Sequence, residues 1–273
     1  MKKLIFASCL LMGLAGCQRA TLDEAEREPV CIRFGGFQIE VESRAALADA
    51  CTALNYYRYT DGTQTGSKVM TASDEGFGTF TDYMPWGTHQ LYFIGHKSEV
   101  TDFTDGMAKF DKVSDTFTYS MSLTVDGETN TNQNITLIRR VAKFELVAKD
   151  ALPDNLASVV IQITGGSKSV DVETGIGGEA EVQTKTIAVP ASNIGKPNCI
   201  FASYLFLPEG VTEVDIVVTT KDSEGNELAE YEFEDVEVKA NTITRYKGYM
   251  FGLNPSFELM ADNEWDEENE WEF

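Results

Sequence analysis

Apolar residues recur along this chain at every second position, in short bursts separated by turn residues. Ile32 and Phe34, then Phe37, Ile39 and Val41, mark a first strand, with a bulge or kink expected at Gly35-Gly36. Leu54–Tyr59 is an aromatic-rich second run, stopped by Asp61-Gly62. Phe77–Tyr83 and His89–His96 give two more strands, parted by Pro85-Trp86-Gly87. Thr116–Val125 alternates with Phe117, Tyr119, Met121, Leu123 and Val125 on one face, and Ile135–Val147 alternates again, with Ala142, Phe144 and Leu146 on one face. Further on, Val159, Ile161 and Ile163 alternate, Ile187 and Val189 precede Pro190, and Val214, Ile216 and Val218 lead into a turn at Lys221–Asn226. Ile200–Leu207 is a continuous apolar run, the pattern of a strand covered on both faces. Tyr231 and Phe233, then Val236 and Val238, precede a last long strand over Asn241–Leu253.

No segment carries an apolar stripe of helical period and length, and the best helical candidate, Ala45–Ala53, is short. Many short strands at regular spacing predict an all-β chain of sandwich architecture. Each half opens on a strand (Cys31–Val41; Arg140–Ala148), followed by a polar connection and an apolar strand. This parallel predicts two β-sandwich domains in tandem, over 30–138 and 139–273.

The N-terminus reads as an address. Lys2 and Lys3 precede the apolar run Leu4–Leu14, which is too short to span a bilayer, and Leu14-Ala15-Gly16-Cys17 matches a bacterial lipobox. Residues 1–16 are therefore expected to be a lipoprotein signal peptide, with Cys17 the acylated residue. Residues 17–29 form an acidic, flexible tether ended by Pro29. Cys31, Cys51 and Cys199 then remain. An odd number cannot pair fully, and a Cys31–Cys51 disulfide competes with the reading of both as small buried side chains.

Composition narrows the chemistry. Of 273 residues, 44 are Asp or Glu and 22 are Lys or Arg, a formal net charge of -22, so no nucleic-acid partner is expected. The two histidines, His89 and His96, are seven apart on one strand and point to opposite faces. Residues 175–180 follow a loose G-x-G-x-x-A pattern but offer no helix N-terminus, so they read as a turn. Asp222, Glu224 and Asn226 have calcium-loop spacing, but Glu227 stands where the loop needs Gly, so a hairpin turn is expected. No catalytic residue, metal ligand or cofactor site is assigned, and the chain is read as not an enzyme. Residues 261–273 hold seven acids, no base, and the aromatics Trp265, Trp271 and Phe273. They fold back as an edge strand, serve as a donor strand for another subunit's open sheet edge, or remain a free tail.

The lipobox, the acidic tether, the two β halves, Asn241–Tyr246, and above all Leu137-Ile138-Arg139-Arg140-Val141-Ala142-Lys143-Phe144-Glu145-Leu146 resemble the fimbrillin superfamily of Bacteroidales, the type V pilus proteins. The likeness is greatest to the lipoprotein anchor or minor fimbrial subunit branch. The resemblance implies two transthyretin-like Greek-key sandwiches and a location in the outer membrane and fimbrium at the cell surface. It implies other fimbrial subunits as partners, with host or bacterial surface receptors beyond them. It also implies assembly by β-strand addition, in which an Arg-specific protease removes the first strand to open a groove, while anchor members keep that strand. Arg27 and Arg44 are the candidate cut sites: cleavage after Arg27 spares the first strand, and cleavage after Arg44 removes it. A second function class is a surface glycan-binding lipoprotein, motivated by Tyr56, Tyr57, Tyr59 and Trp86, although such residues in strands are more often core.

Overall fold

The computed structural model describes residues 27–40, 47–252 and 255–260. The first half comprises β1 (Val30–Ile39), one helical turn α1 (Leu47–Ala50), β2 (Ala53–Thr60), β3 (Thr63–Thr71), β4 (Phe80–Met84), β5 (Gly87–His96), β6 (Val100–Thr104), β7 (Met107–Phe110), β8 (Thr116–Val125) and β9 (Asn132–Arg139). The second half comprises β10 (Ala142–Ala148), β11 (Ser158–Thr164), β12 (Ser169–Asp171), β13 (Gln183–Ala188), β14 (Cys199–Leu205), β15 (Glu213–Lys221), β16 (Glu227–Glu237), β17 (Ile243–Tyr249) and β18 (Ser256–Met260). The chain is nearly all β, as its alternation predicts.

In the first half one sheet runs β3-β2-β5-β8-β9-β1-β4. Every pairing in it is antiparallel except β1 with β9. β8 and β9 share only the pairs Phe117–Arg139 and Thr118–Ile138, and the sheet folds over beyond that short seam. β1 and β4 thus lie above β2 and β5, with the Phe34 ring 5.5 Å from Tyr56 and 5.4 Å from Phe93. Ile32, Leu54, Leu91, Phe117, Ile135 and Leu137 complete this core. Asp61 and Gly62 both take positive φ (50° and 74°), which matches the right-handed twist of the β2–β3 hairpin.

In the second half the sheets β14-β10-β17-β18 and β13-β11-β15-β16 face each other. Phe144, Leu146, Val159, Ile161, Ile216 and Val218 interdigitate between them. A third cluster, with Ile94, Phe110, Val141, Val170, Tyr204 and Phe206, joins the halves. There β12 adds to the β6–β7 hairpin through Ser169–Lys109, Val170–Ala108 and Asp171–Met107.

The segment Arg139–Glu145 carries charge through the interior. Arg139 forks onto Asp115 with two contacts of 2.8 Å. Lys143 reaches Glu145 at 2.9 Å, and Arg245 meets the second oxygen of Glu145 at 2.5 Å. Lys143 and Glu145 are both wholly covered.

Several expectations are corrected. The alternating run Ile135–Val147 is divided between β9, which pairs in the first half, and β10, which pairs in the second and starts at Ala142 rather than Arg140, with Val141 turned into the joining cluster. Ile200–Leu207 is represented by β14, an edge strand of its sheet, and the strand covered on both faces is β10, all seven of whose residues are buried. Asn241–Leu253 ends as a strand at Tyr249, and the chain returns as β18. β3 escapes the apolar pattern because all but two of its residues are exposed at a sheet edge. The helical candidate reduces to α1.

Removing one member of a covered ion cluster strands its partners, whereas replacing the whole cluster with apolar groups is close to neutral. Glu145→Gln is therefore expected to lower unfolding free energy by roughly 3–5 kcal/mol. The triple variant Lys143→Met, Glu145→Leu, Arg245→Met should lose much less, and urea titration of both checks the order.

Candidate functional site

β1 sits as a plug between β9 and β4. Ile32 and Phe34 point inward and are fully buried, while Cys31 and Arg33 point outward. The pairing of β1 with β9 shifts between Gly35 and Gln38, and Gly36 takes φ +57°. This extra residue changes the parity of the strand, so Phe37 and Ile39 also pack on the core. Arg33 N–H donates to Thr131 O at 2.7 Å and Glu40 N–H to Leu137 O at 2.8 Å, closing the ladder at both ends. On the other side β1 pairs with β4 from Val30–Met84 to Phe34–Phe80.

The β4 wall of this groove has its own attachment. Arg58 on β2 meets Asp82 on β4 at 2.6 Å and donates to Tyr83 O at 3.3 Å, and the Tyr56 hydroxyl donates to Asp82 at 2.9 Å. Burial, with the Asp82 charge second, pushes the Tyr56 hydroxyl well above its ordinary range and keeps it a donor. None of these bonds passes through β1.

Arg27 lies just before β1, its guanidinium 4.2 Å over the Trp86 ring, while the Trp86 indole donates to Glu28 O at 3.2 Å. A cut after Arg27 would release the guanidinium from Trp86 but leave the Trp86–Glu28 bond and β1 in place. Cys17, Arg44, Trp265, Trp271 and Phe273 lie outside the described residues. The rings proposed for sugar stacking are largely engaged with one another: Tyr56 is buried, Tyr57 stacks on Phe103 at 3.9 Å, and Tyr59 meets Tyr92 edge-on.

Residues 78–272 match a family of unknown function, DUF6562. The chain belongs to this family. A search of curated proteins finds no match. Among solved structures, a Bacteroides ovatus protein named for cell adhesion is similar at 14% identity and TM-score 0.52, over 89% of this chain and 100% of its own. A Bacteroides thetaiotaomicron protein named for polysaccharide binding is similar at 11% identity and TM-score 0.52, over 88% and 99%. A Bacteroides thetaiotaomicron protein named as an adhesin matches at 10% identity and TM-score 0.50, over 85% and 96%. At such identities these likenesses establish a shared fold.

In this DUF6562 chain both histidines are structural. His89 bonds Thr60 Oγ1 at 2.7 Å and Pro85 O at 2.8 Å. His96 bonds Ser98 O at 2.6 Å and the Asn55 side chain at 2.9 Å. Among the described residues no group of three or more His, Cys, Asp or Glu is placed to hold a metal. Asp222 Oδ1 accepts from the N–H groups of Glu224 and Asn226, so the calcium-like spacing is an Asx-type hairpin turn. The turn falls one step earlier, over 172–174, where Asp171 Oδ1 accepts from the N–H groups of Glu173 and Thr174, and residues 175–180 follow as an irregular segment in which the Gly177 N–H donates to Leu207 O.

Cys31 is exposed on the outer face of β1, whereas Cys51 is buried in the core with its thiol donating to Leu47 O, and both are free. Sequence reading missed the Arg58–Asp82 wall tie. Its only signal is a lone charge within the aromatic run Leu54–Tyr59.

Burial pushes the His96 imidazole down to about 4 and the Cys51 thiol up to about 12. The unfolded imidazole takes up a proton near 6.5 while the folded one resists until about 4. The stabilisation is thus complete above about 6.5 and is lost as pH falls towards 4, about 3 kcal/mol in all. His96→Gln is expected to flatten that part of the pH–stability curve in denaturant titrations. In native protein a maleimide should label Cys31 rapidly and Cys51 only after unfolding.

Proposed function

We propose that this chain is a non-enzymatic structural adhesion protein of the fimbrial type, placed at the cell surface and assembled with other subunits by strand addition. Its two sandwiches stand in tandem over 30–138 and 139–273. Residues 1–16 direct export, acylated Cys17 holds the chain in the outer membrane, and residues 17–29 space the fold from the lipid. The observation that carries this reading is β1 itself. It is a single strand at the start of the fold, with its apolar residues in the core and a ladder on each side, lodged in a groove whose β4 wall is pinned by Arg58–Asp82. Likeness to adhesin and cell-adhesion folds supports the same reading.

A chain that keeps β1 is closed at this groove and serves as an anchor. A chain cut after Arg44 loses β1 and offers two unpaired strand edges and the vacated sites of Ile32 and Phe34. Each such side chain contributes about 1.5–3 kcal/mol on burial, so a donor strand with matching alternation would bind there.

A protease site placed at Arg44 and cut after folding tests this. Once the released strand is washed away in mild denaturant and the denaturant removed, a labelled peptide of residues 30–41 should rebind, and the uncut chain should not take it up. Cut protein that refolds but ignores the peptide would sink the proposal. The intact mass from the native host's surface fraction is expected to start at acylated Cys17 for an anchor, or at Ala45 for a processed subunit.

A further inference from the structure

One sheet face of this acidic chain is uncharged. The adjacent strands β3, β2, β5 and β8 contain no Asp or Glu, in a chain with 44. Their only Arg and Lys, Arg58 and Lys68, turn to the core side, where Arg58 meets Asp82 and Lys68 lies 5.3 Å from the Phe80 ring centre. The opposite side, reached by the alternate residues of each strand, carries no carboxylate, ammonium or guanidinium of its own. Other solvated faces of this chain are built differently: β16 sets Glu230, Glu232 and Glu234 outward, all exposed.

Pairing across the strands gives the rows of that face. Gln64 stands beside Tyr59, Tyr59 beside Gln90, and Gln90 beside Ser122. In the next row Tyr57 stands beside Tyr92. The β6–β7 hairpin covers this end, with Phe103 stacked on Tyr57 at 3.9 Å and 5.4 Å from the Tyr92 ring. Tyr57 is thereby occupied. Tyr59 and Tyr92 stay half-exposed, edge-on to each other at 5.8 Å, while Gln64 and Ser122 are exposed and Gln90 is half-buried. The Tyr59 hydroxyl donates to Gln64 Oε1 at 3.3 Å and its ring lies 6.0 Å from Phe103, so the ring is held from both ends.

Carboxylates border the face at the hairpin. Burial first, and then the charges of Glu173, Asp171 and Asp105, push the Tyr92 hydroxyl above its ordinary range. Arg140, at the same border, already donates to Thr118 Oγ1 and to the carbonyls of Glu173 and Thr174. An anionic ligand would meet repulsion here. What the rows offer is apolar ring surface beside amides and hydroxyls that both donate and accept, the complement of a polyhydroxylated, uncharged molecule.

We propose that this face binds a neutral oligosaccharide, with sugar C–H surfaces packed on Tyr59 and Tyr92 and sugar hydroxyls bonded to Gln64, Gln90 and Ser122. Four strands span about 14 Å, room for a few sugar rings. The inference goes beyond the fimbrial reading and does not depend on it, because strand addition engages the β1 groove between β9 and β4.

The test is calorimetric titration of the whole chain, held in a detergent without a sugar headgroup. The probes are neutral hexasaccharides of glucose, mannose, galactose and xylose, with hexagalacturonate as the acidic counterpart. At least one neutral probe should bind saturably, more tightly than hexagalacturonate, and with an affinity that holds near 1 M salt, where charge interactions are screened. Tyr59→Ala and Gln90→Ala should each weaken that binding by about fivefold or more. Ser122→Arg, a bulky change at an exposed position, should obstruct the face while leaving the urea midpoint in place, which separates lost binding from lost folding. Thr81→Ala, on the outer side of β4, should bind as the parent does. Failure of every neutral probe to bind saturably, or tighter binding of hexagalacturonate, would overturn the proposal. Self-association that Ser122→Arg abolishes would assign the face to a second copy and overturn it as well.

Discussion

Buried charge must be matched, and that requirement organises the middle of this chain. Between Leu137 and Leu146 the backbone leaves one core, crosses the seam and enters another. Arg139 answers Asp115 on the first side, and Glu145 is shared by Lys143 and Arg245 on the second. An unpaired charge at such positions is far more costly than an unmatched methyl group, so these contacts specify which strands lie together. The parallel pairing of β10 with β17 puts Arg245 beside Glu145 across a sequence separation of 100. A slip of one residue would turn Glu145 into the apolar layer formed by Phe144 and Leu146.

The strand edges follow a second logic. β1 enters its sheet between two partners and adds the inward residues Ile32 and Phe34 to a core otherwise built from β2, β4, β5, β8 and β9. Its neighbours are fixed by other means, β4 through Asp82 and β9 through the seam with β8 and the Arg139 fork. If β1 departs, β4 loses its one ladder partner but keeps the Arg58–Asp82 tie, and β9 keeps its seam with β8.

Period-two alternation made most of the fold legible. Thr116–Val125 is strand β8 at those same limits, and Asp61-Gly62 is the hairpin turn its residue types specify. Alternation failed where burial is one-sided or absent, as in β3, or where both sides are covered, as in β10, whose charged residues are as buried as its leucine. It shows no break between β9 and β10, since a pattern of apolar residues carries no mark of the sheet each strand joins. The first strand and its glycine interruption could be read directly. The pinned wall could not, because Arg58 and Asp82 become neighbours only through long-range pairing.

The parallel setting of β1 against β9 has a mechanical consequence. A pull on the chain ahead of Val30, resisted through the continuation of β9 into the second half, drives the two strands past each other lengthwise. Their ladder from Arg33–Asn132 to Ile39–Leu137 is then loaded in shear, with its hydrogen bonds sharing the force together. An antiparallel hairpin gripped at its open ends unzips one bond at a time. Under traction along its length, this fold meets the load with its stiffer geometry.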